Sequence, residues 1–476
     1  MGRVIALTLA EIASIVGGRL VLAAPAVDTD RVDGSVETDS RLVTPGSIFF
    51  ALPGEVTDGI LFVPAAVEQG AALIVAESAA STIAPVIVVE NGVTALADLA
   101  REVVARVRES AADDDSRMRV VGITGSNGKT STKNMLRAIL SDLGPTVAPE
   151  GSFNNHVGAP ISMLRIDEGT KYLVVEMGAS GSGEIARLVS IAQPDTGVVL
   201  KVGLAHAGEF GGIEATKKAK SEMVTDLPET ATAILNVDDF RVASMAEITR
   251  ARVVGFGLGD EATYRASDID VTADGTSFTL HAPGATRRVA LRILGEHHVM
   301  NALAALTVTG EWGLDVDRAA TVLEGVTRAE RWRMEVLPVE GGVTVINDAY
   351  NASPDSVAAA LKTLATIVGP EQRSIAVLGE MAELGEYALE EHDRIGRLIV
   401  RLNIQKLVVV GDGARHIHMA AGLEGSWDGE SMLVPDIEAA YEALHPDLRE
   451  GDVVLVKSSK SAGLRFLGDR LGGVTA

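Results

Sequence analysis

Apolar residues fall into short runs separated by stretches of helical spacing, and this alternation persists along most of the chain. Short apolar runs bounded by turn residues fit buried parallel strands, whereas apolar positions three and four apart fit one face of a helix. From residue 1 to about 110, runs at 47–52, 72–76 and 86–89 alternate with helical patterns at 62–69 and 94–107. This predicts a small N-terminal α/β domain.

The segment 109–119, with Asp113-Asp114-Asp115, has the composition of a linker. Beyond it, strand-like runs recur at 120–124, 172–177, 196–202, 233–237 and 252–256, followed by a β-rich patch at 263–294 and a helical stretch at 299–309. A mostly parallel sheet covered by helices is expected, with ligands at the C-terminal ends of its strands. The pattern resets near 325–334, where Arg328, Glu330, Arg331 and Arg333 make it polar, and runs at 343–347, 374–378, 406–411 and 452–457 predict a third, Rossmann-like α/β unit. The fold class is therefore α/β in three domains, at 1–112, 113–327 and 328–476. No internal repeat or low-complexity segment is evident.

The stretch from Val120 to Thr132 joins an apolar run to a glycine-bearing turn and then to Lys129-Thr130 at the head of a helix with apolar Met135, Leu136, Ile139 and Leu140. Gly125 and Gly128 permit a sharp turn and close backbone approach, and the helix start offers free N–H groups to an anion. Lys129 is placed to reach terminal phosphates, and the Thr130 hydroxyl to ligate Mg²⁺. The usual P-loop spacing would put its first glycine at position 123, where Ile123 stands; Gly125 comes two residues later. A ligand-free strand-to-helix turn is the plainer alternative, but it leaves the coincidence of strand, turn and Lys-Thr unexplained.

At 476 residues the chain exceeds one ordinary core, and 47% hydrophobic with 22% charged residues fits a folded protein. A net charge of -23 argues against nucleic acid or an anionic membrane as partner. With no cysteine, disulfides, thiolate catalysis and Cys-type zinc sites are excluded, so any metal must be held by oxygen or nitrogen. Glu11 and Arg19 interrupt the apolar run at 4–24, which then lacks the length of a membrane span and the layout of a signal peptide. No membrane insertion and a cytoplasmic location are expected.

Several polar groups follow strands. Glu176 ends one, where a carboxylate suits Mg²⁺ or a helix cap. His206 follows another, and a lone histidine of this kind is more often a hydrogen-bonded surface group than a ligand. Lys217, Lys218 and Lys220 read as a solvated helix face, although a partly buried lysine of lowered pKa can add CO₂ and offer carbamate oxygens to a metal. Asp39, Ser40 and Arg41 read as a polar turn that could also hold a diphosphate. Asp348, Tyr350 and Asn351 fit a binding edge as well as they fit a turn.

Thr124-Gly125-Ser126-Asn127-Gly128-Lys129-Thr130-Ser131 resembles the ATP loop of the Mur ligases and folylpolyglutamate synthetases, which form amide bonds through acyl phosphates. Further stretches extend the resemblance to the Mur ligases over nearly the whole chain: Thr38-Asp39-Ser40-Arg41, Asn154-Asn155-His156-Val157-Gly158-Ala159-Pro160, Glu176-Met177-Gly178, Lys218-Ala219-Lys220-Ser221-Glu222, His297-His298-Val299-Met300-Asn301-Ala302, Asn347-Asp348-Ala349-Tyr350-Asn351-Ala352 and Met381-Ala382-Glu383-Leu384-Gly385. The last two point to members that join D-alanyl-D-alanine to UDP-N-acetylmuramoyl-tripeptide. The resemblance implies ATP held by Gly125, Ser126, Asn127, Gly128, Lys129, Thr130, Ser131, Asn301, Arg331 and Asp348. It implies one Mg²⁺ on Thr130 and Glu176 and a second on His206 and carbamylated Lys220; Lys129, Glu176, His206 and Lys220 would serve catalysis. Asp39, Ser40, Arg41, Asn154 and Asn155 would bind the UDP substrate, with the third domain closing over ATP and receiving the amine. A monomer is expected. One departure is Asp58-Gly59-Ile60-Leu61-Phe62, where such proteins often carry Asp-Gly-His-Asp-Phe, which puts UDP contacts there in question. The Asp-Asn-Pro-Arg motif of the meso-diaminopimelate-adding enzymes is absent. A ligase adding a single amino acid, or a nucleotide-dependent switch, are the alternatives.

Overall fold

Strand Arg119–Thr124 lies in the interior of a nine-stranded sheet in the computed structural model, which describes residues 4–54, 57–79, 83–204, 208, 211–328, 330–339, 341–424 and 427–474. Edge to edge the sheet runs Ala285–Leu291, Gly275–Ala282, Tyr264–Thr272, Arg252–Gly257, Thr232–Asn236, Thr196–Val199, Arg119–Thr124, Tyr172–Glu176 and Thr146–Val147. The pairings are parallel as far as Tyr264–Thr272, and the β-rich patch adds two antiparallel ones through tight turns. Glu176 pairs with Ile123 and Val199 with Thr124, so three strands end together around the glycine-bearing turn. Strand Arg119–Thr124 has a later strand on either side, a switch point of strand order, which opens a crevice at the C-terminal strand ends.

Helix Lys129–Leu143 follows the turn and buries Met135, Leu136, Ile139 and Leu140 against the sheet and helix His297–Glu311. On the opposite face lie Gly92–Glu109, Glu184–Ala192 and Ile213–Thr225. Helix Gly92–Glu109 also closes the N-terminal sheet, whose strands run Arg19–Val21, Val86–Val88, Leu73–Ala76, Ile48–Ala51 and Val36–Glu37. Leu96, Leu99, Val103 and Val104 of that helix are fully buried in a core continuous with the central sheet, each contributing about 1.5–3 kcal/mol. The first two units are joined by packing as well as by the linker.

The third sheet runs Glu335–Val339, Val343–Asn347, Asp452–Lys457, Arg373–Leu378, Lys406–Val410 and Glu430–Val434, parallel except for its first pairing. Its two edge strands escape a reading of apolar runs because an edge strand alternates buried and exposed positions; Glu335–Val339 also contains Pro338, which only an edge tolerates. No helix among the described residues is long and apolar enough to cross a membrane.

Candidate active site

Between the central and third units lies a cleft of about 490 Å³. Its floor is the turn from Ser126 to Ser131. Gly125 and Gly128 have φ of 149° and 88°, and a Cβ on Gly128 would sit 2.4 Å from the Asn301 Oδ1 atom. This is why the loop needs glycine there and why Asn301, on helix His297–Glu311, stands directly against it. Lys129 Nζ donates to the Gly125 carbonyl at 2.6 Å. Burial holds its pKa below the ordinary lysine value; the Arg333 charge acts the same way and Glu176 opposes.

Thr130 and Glu176 meet on this floor, the Thr130 hydroxyl donating to Glu176 Oε1 at 3.2 Å and Asn154 Nδ2 donating to the same oxygen at 2.8 Å. Glu176 is 1% exposed, and its Oε2 has no hydrogen-bond partner. A hydroxyl and an unsatisfied carboxylate oxygen fit a hard cation such as Mg²⁺, beside N–H groups that suit phosphate oxygens. Lys220, on helix Ile213–Thr225, is also buried at the cleft. Its pKa is drawn down to about 7, first by burial and then by Lys129, with Glu184 and Glu222 opposing. His206 lies outside the described residues.

The third unit reaches directly onto the loop. Ser353 donates to Asn127 Oδ1 at 3.0 Å, Arg333 Nη2 to Thr130 Oγ1 at 3.2 Å and the Tyr350 hydroxyl to Ser152 Oγ at 3.0 Å. Lys201 pairs with Asp355 at 3.3 Å. Asp348 lines the cleft, locked by Lys457 Nζ at 2.6 Å and by the Met334 N–H at 3.0 Å.

The expected arginine is displaced by two positions. Arg331 turns away, donating to Asp469 at 3.0 Å and stacking on Trp332 at 4.7 Å, whereas Arg333 lines the cleft and stacks on Tyr350 at 4.4 Å. The cationic run drew attention to this stretch, but spacing alone could not choose the inward residue. His297 and His298 also line the cleft, with His297 Nδ1 and His298 Nε2 unpartnered. Burial draws His297 down to about 4, Lys457 adding to the shift and Asp348 opposing; His298 falls well below its ordinary value for the same first reason.

Asn154 and Asn155 line the cleft, whereas Asp39, Ser40 and Arg41 do not. These three form a capped turn, Ser40–Leu42, in which Asp39 accepts from Arg41 Nε at 2.9 Å. At 58–62, Asp58 caps the turn Gly59–Phe62, and Leu61 and Phe62 are exposed.

A parallel α/β unit with a phosphate-binding loop, covered by a second α/β unit bearing an arginine and a locked aspartate, defines a nucleotide-dependent group-transfer architecture. Three family models span the chain: "Mur ligase family, catalytic domain" at 34–123, "Mur ligase middle domain" at 123–309 and "Mur ligase, glutamate ligase domain" at 332–460. The chain belongs to the Mur ligase family. It is 44% identical to the UDP-N-acetylmuramoyl-tripeptide--D-alanyl-D-alanine ligase of Mycobacterium tuberculosis, with 98% of each chain covered. It is 32% identical to the enzyme of that name from Bacillus subtilis, with 96% of each covered. Among solved structures it is similar to MurF from Acinetobacter baumannii, with a TM-score of 0.86, 27% identity and 99% of each chain covered. The MurF ligase of Thermotoga maritima in complex with ADP superimposes with a TM-score of 0.80 at 28% identity, covering 92% of this chain and 97% of that one.

Proposed function

We propose that this chain is an ATP-dependent ligase that joins D-alanyl-D-alanine to UDP-N-acetylmuramoyl-tripeptide, giving the pentapeptide precursor of peptidoglycan, ADP and phosphate. The observation that carries the proposal is the convergence of the phosphate loop, the unsatisfied Glu176 carboxylate and third-domain groups on one cleft, in a chain similar over its full length to ligases of that name. An amide bond needs an activated carboxyl group. The tripeptide carboxylate attacks the γ-phosphorus of ATP, the bond to the β,γ-bridging oxygen breaks, and an acyl phosphate and ADP result. The amine of D-alanyl-D-alanine then adds to the acyl carbon, loses a proton, and phosphate leaves.

Lys129 and the N–H groups from Ser126 to Thr130 offset the repulsion between two anions and stabilise charge spread over the transferring phosphoryl group. Arg333 faces the same floor from the third domain. Asn301 and Asp348 hold the nucleotide; Asn154 and Asn155 hold the acceptor, with Asp39, Ser40 and Arg41 taking its distal UDP end. Thr130 and Glu176 would hold Mg²⁺, which supplies charge neutralisation at the phosphate oxygens when bound. Lys220 as an amine is a poor metal ligand; with a pKa near 7 a large share is neutral at physiological pH and able to add CO₂, and the carbamate with His206 would hold a second ion. The third domain covers the loop and excludes water from the acyl phosphate. One chain supplies the whole cleft, so a monomer is the working unit, acting in the cytoplasm.

The test is phosphate release from ATP and Mg²⁺ with UDP-N-acetylmuramoyl-tripeptide, with and without D-alanyl-D-alanine. Release that requires the dipeptide, with a product mass increased by its condensation, is expected. Release with a single amino acid instead would move the chain to a sister ligase, and no release with any amine would leave only nucleotide binding.

A further inference from the structure

Lys133 lies one turn into the helix that Lys129 opens, is 1% exposed, and does not line the cleft. Its Nζ donates to two main-chain carbonyls of another segment, Pro149 and Gly151, each at 2.9 Å. That segment is irregular. Among the described residues the main chain of 149–153 makes no hydrogen bond to main-chain groups outside the segment, and the first main-chain tie after it is the Asn154 carbonyl accepting from the Gly178 N–H at 2.8 Å.

The residues this segment presents are those on which the cleft depends. Ser152 sits 3.3 Å from the Thr130 hydroxyl and accepts from Tyr350, Asn154 donates to Glu176, and Asn155 Oδ1 accepts from the Val157 and Gly158 N–H groups at 3.2 and 2.8 Å. A buried ammonium is costly unless it is hydrogen-bonded, and burial draws the Lys133 pKa below its ordinary value while Glu176 and Glu330 resist. Two carbonyls therefore fix where the Nζ atom lies, and the rigid helix in turn fixes where the loop lies. The Arg165–Glu150 pair at 3.0 Å is a second tie, but Glu150 is 73% exposed and so the pair is weak.

We propose that Lys133 is a positioning residue for the acceptor: it bolts the loop carrying Ser152, Asn154 and Asn155 to the phosphate helix, so that the acceptor carboxylate is presented in register with the γ-phosphate. The inference rests on Asn154 and Asn155 facing the acceptor. Lys133 touches neither substrate, and its loss should separate the two binding steps. Nucleotide affinity depends on the loop from Gly125 to Ser131, which the helix itself anchors; acceptor affinity depends on the bolted segment.

The experiment is calorimetric titration of the intact protein with UDP-N-acetylmuramoyl-tripeptide and, separately, with ADP and Mg²⁺, for the wild type and for Lys133→Met, Lys133→Arg and Asn155→Ala. In Lys133→Met, acceptor affinity should fall about tenfold or more, the scale of lost hydrogen bonds from a charged donor, while ADP affinity stays within about threefold. Lys133→Arg, which keeps charge and donors, should recover part of the acceptor affinity. Equal losses for both ligands, or no loss for either, would overturn the proposal. If Lys133→Met does not fold, Lys133→Arg decides alone: acceptor affinity reduced more than ADP affinity supports the bolt, and a parallel change sinks it. If Asn155→Ala binds the acceptor as the wild type does, the assignment of the loop to the acceptor fails; a loss in Asn155→Ala with none in Lys133→Met rejects Lys133 only.

Discussion

The N-terminal strand ends of the third sheet and the cleft carry buried polar groups in opposite ways. At the N-terminal ends of the third sheet, Arg373 donates to both oxygens of Asp452 at 3.0 and 2.7 Å and to Asp447 at 3.0 Å, and Lys406 donates to Asp447 at 2.7 Å. Asp452 is 1% exposed, yet none of these groups has an unpartnered buried atom, and the Lys406 hydrogen bond holds the Asp447 carboxyl below its ordinary range. At the C-terminal ends, where the cleft opens, Asn127 Nδ2, Glu176 Oε2, His297 Nδ1, His298 Nε2 and Arg333 Nε are all buried without a partner. A saturated cluster ties strands together. An unsaturated one keeps hydrogen-bonding capacity for something that arrives later, and folding tolerates its cost because large apolar cores flank the cleft.

The sharpest way to break this comparison is to remove a charge from each end. Lys129→Ala should lower kcat by about 10²–10³-fold or more, the scale for losing a group that stabilises transferring charge. Its melting temperature should be no lower than that of the wild type, because a buried amine held below its ordinary pKa contributes little to folding. Turnover near the wild-type rate would remove Lys129 from the chemistry. Asp452→Ala should do the reverse, costing about 1.5–3 kcal/mol of stability by removing both charge-assisted hydrogen bonds between Arg373 and Asp452 and leaving Arg373 to Asp447 alone, while kcat of the folded enzyme is unchanged. Denaturant melts and turnover on the same preparations decide between these outcomes.

Acid should act on the cleft first. His297 titrates at about 4 in the folded chain and near its ordinary 6.5 when unfolded, so between those values the unfolded chain binds more protons. Stability therefore rises with pH across that window and is lost as pH falls from 6.5 towards 4. His297→Gln should flatten the slope by up to about 1.4 kcal/mol per pH unit. An unaltered slope in denaturation series from pH 4 to 7 would place the acid sensitivity elsewhere.

Of the two regions, only the cleft was legible from the chain alone. The strand, glycine turn and Lys129-Thr130 fixed one wall of the cleft because periodicity and turn chemistry are local properties, and Glu176 followed from its place at a strand end. Other parts depend on tertiary approach. Arg331 and Arg333 have the same chemistry two positions apart, and only the packing of Trp332 and the position of Asp469 send the first outward and the second inward. Ser152 and Lys133 gave no signal, since a serine in a loop and a lysine at a helical position read as solvated until a distant segment is brought to them. The edge strands Glu335–Val339 and Glu430–Val434 were hidden by their half-polar pattern. Leu61, read as a lost polar contact, is 68% exposed, so what it touches is not an internal partner at all.

The smallest effect tests whether the unsaturated end is also where the domains communicate. The Tyr350 hydroxyl donates to Ser152, and its ring stacks under Arg333, which itself donates to Thr130. Tyr350→Phe deletes only the hydroxyl, leaves the stacking intact and should cost about 0.5–1.5 kcal/mol of contact between the third and central units. Global stability should hardly move, because neither core is touched. Amide hydrogen exchange at 149–153 should quicken, and KM for the acceptor should rise by a few-fold, about the factor that such an energy implies. Tyr350→Ala should do more, since it also removes the surface on which Arg333 rests. If exchange in 149–153 is unchanged in both variants, the hydroxyl contact is incidental and other contacts hold the third unit on the central one, among them Ser353 with Asn127, Arg333 with Thr130 and Asp355 with Lys201.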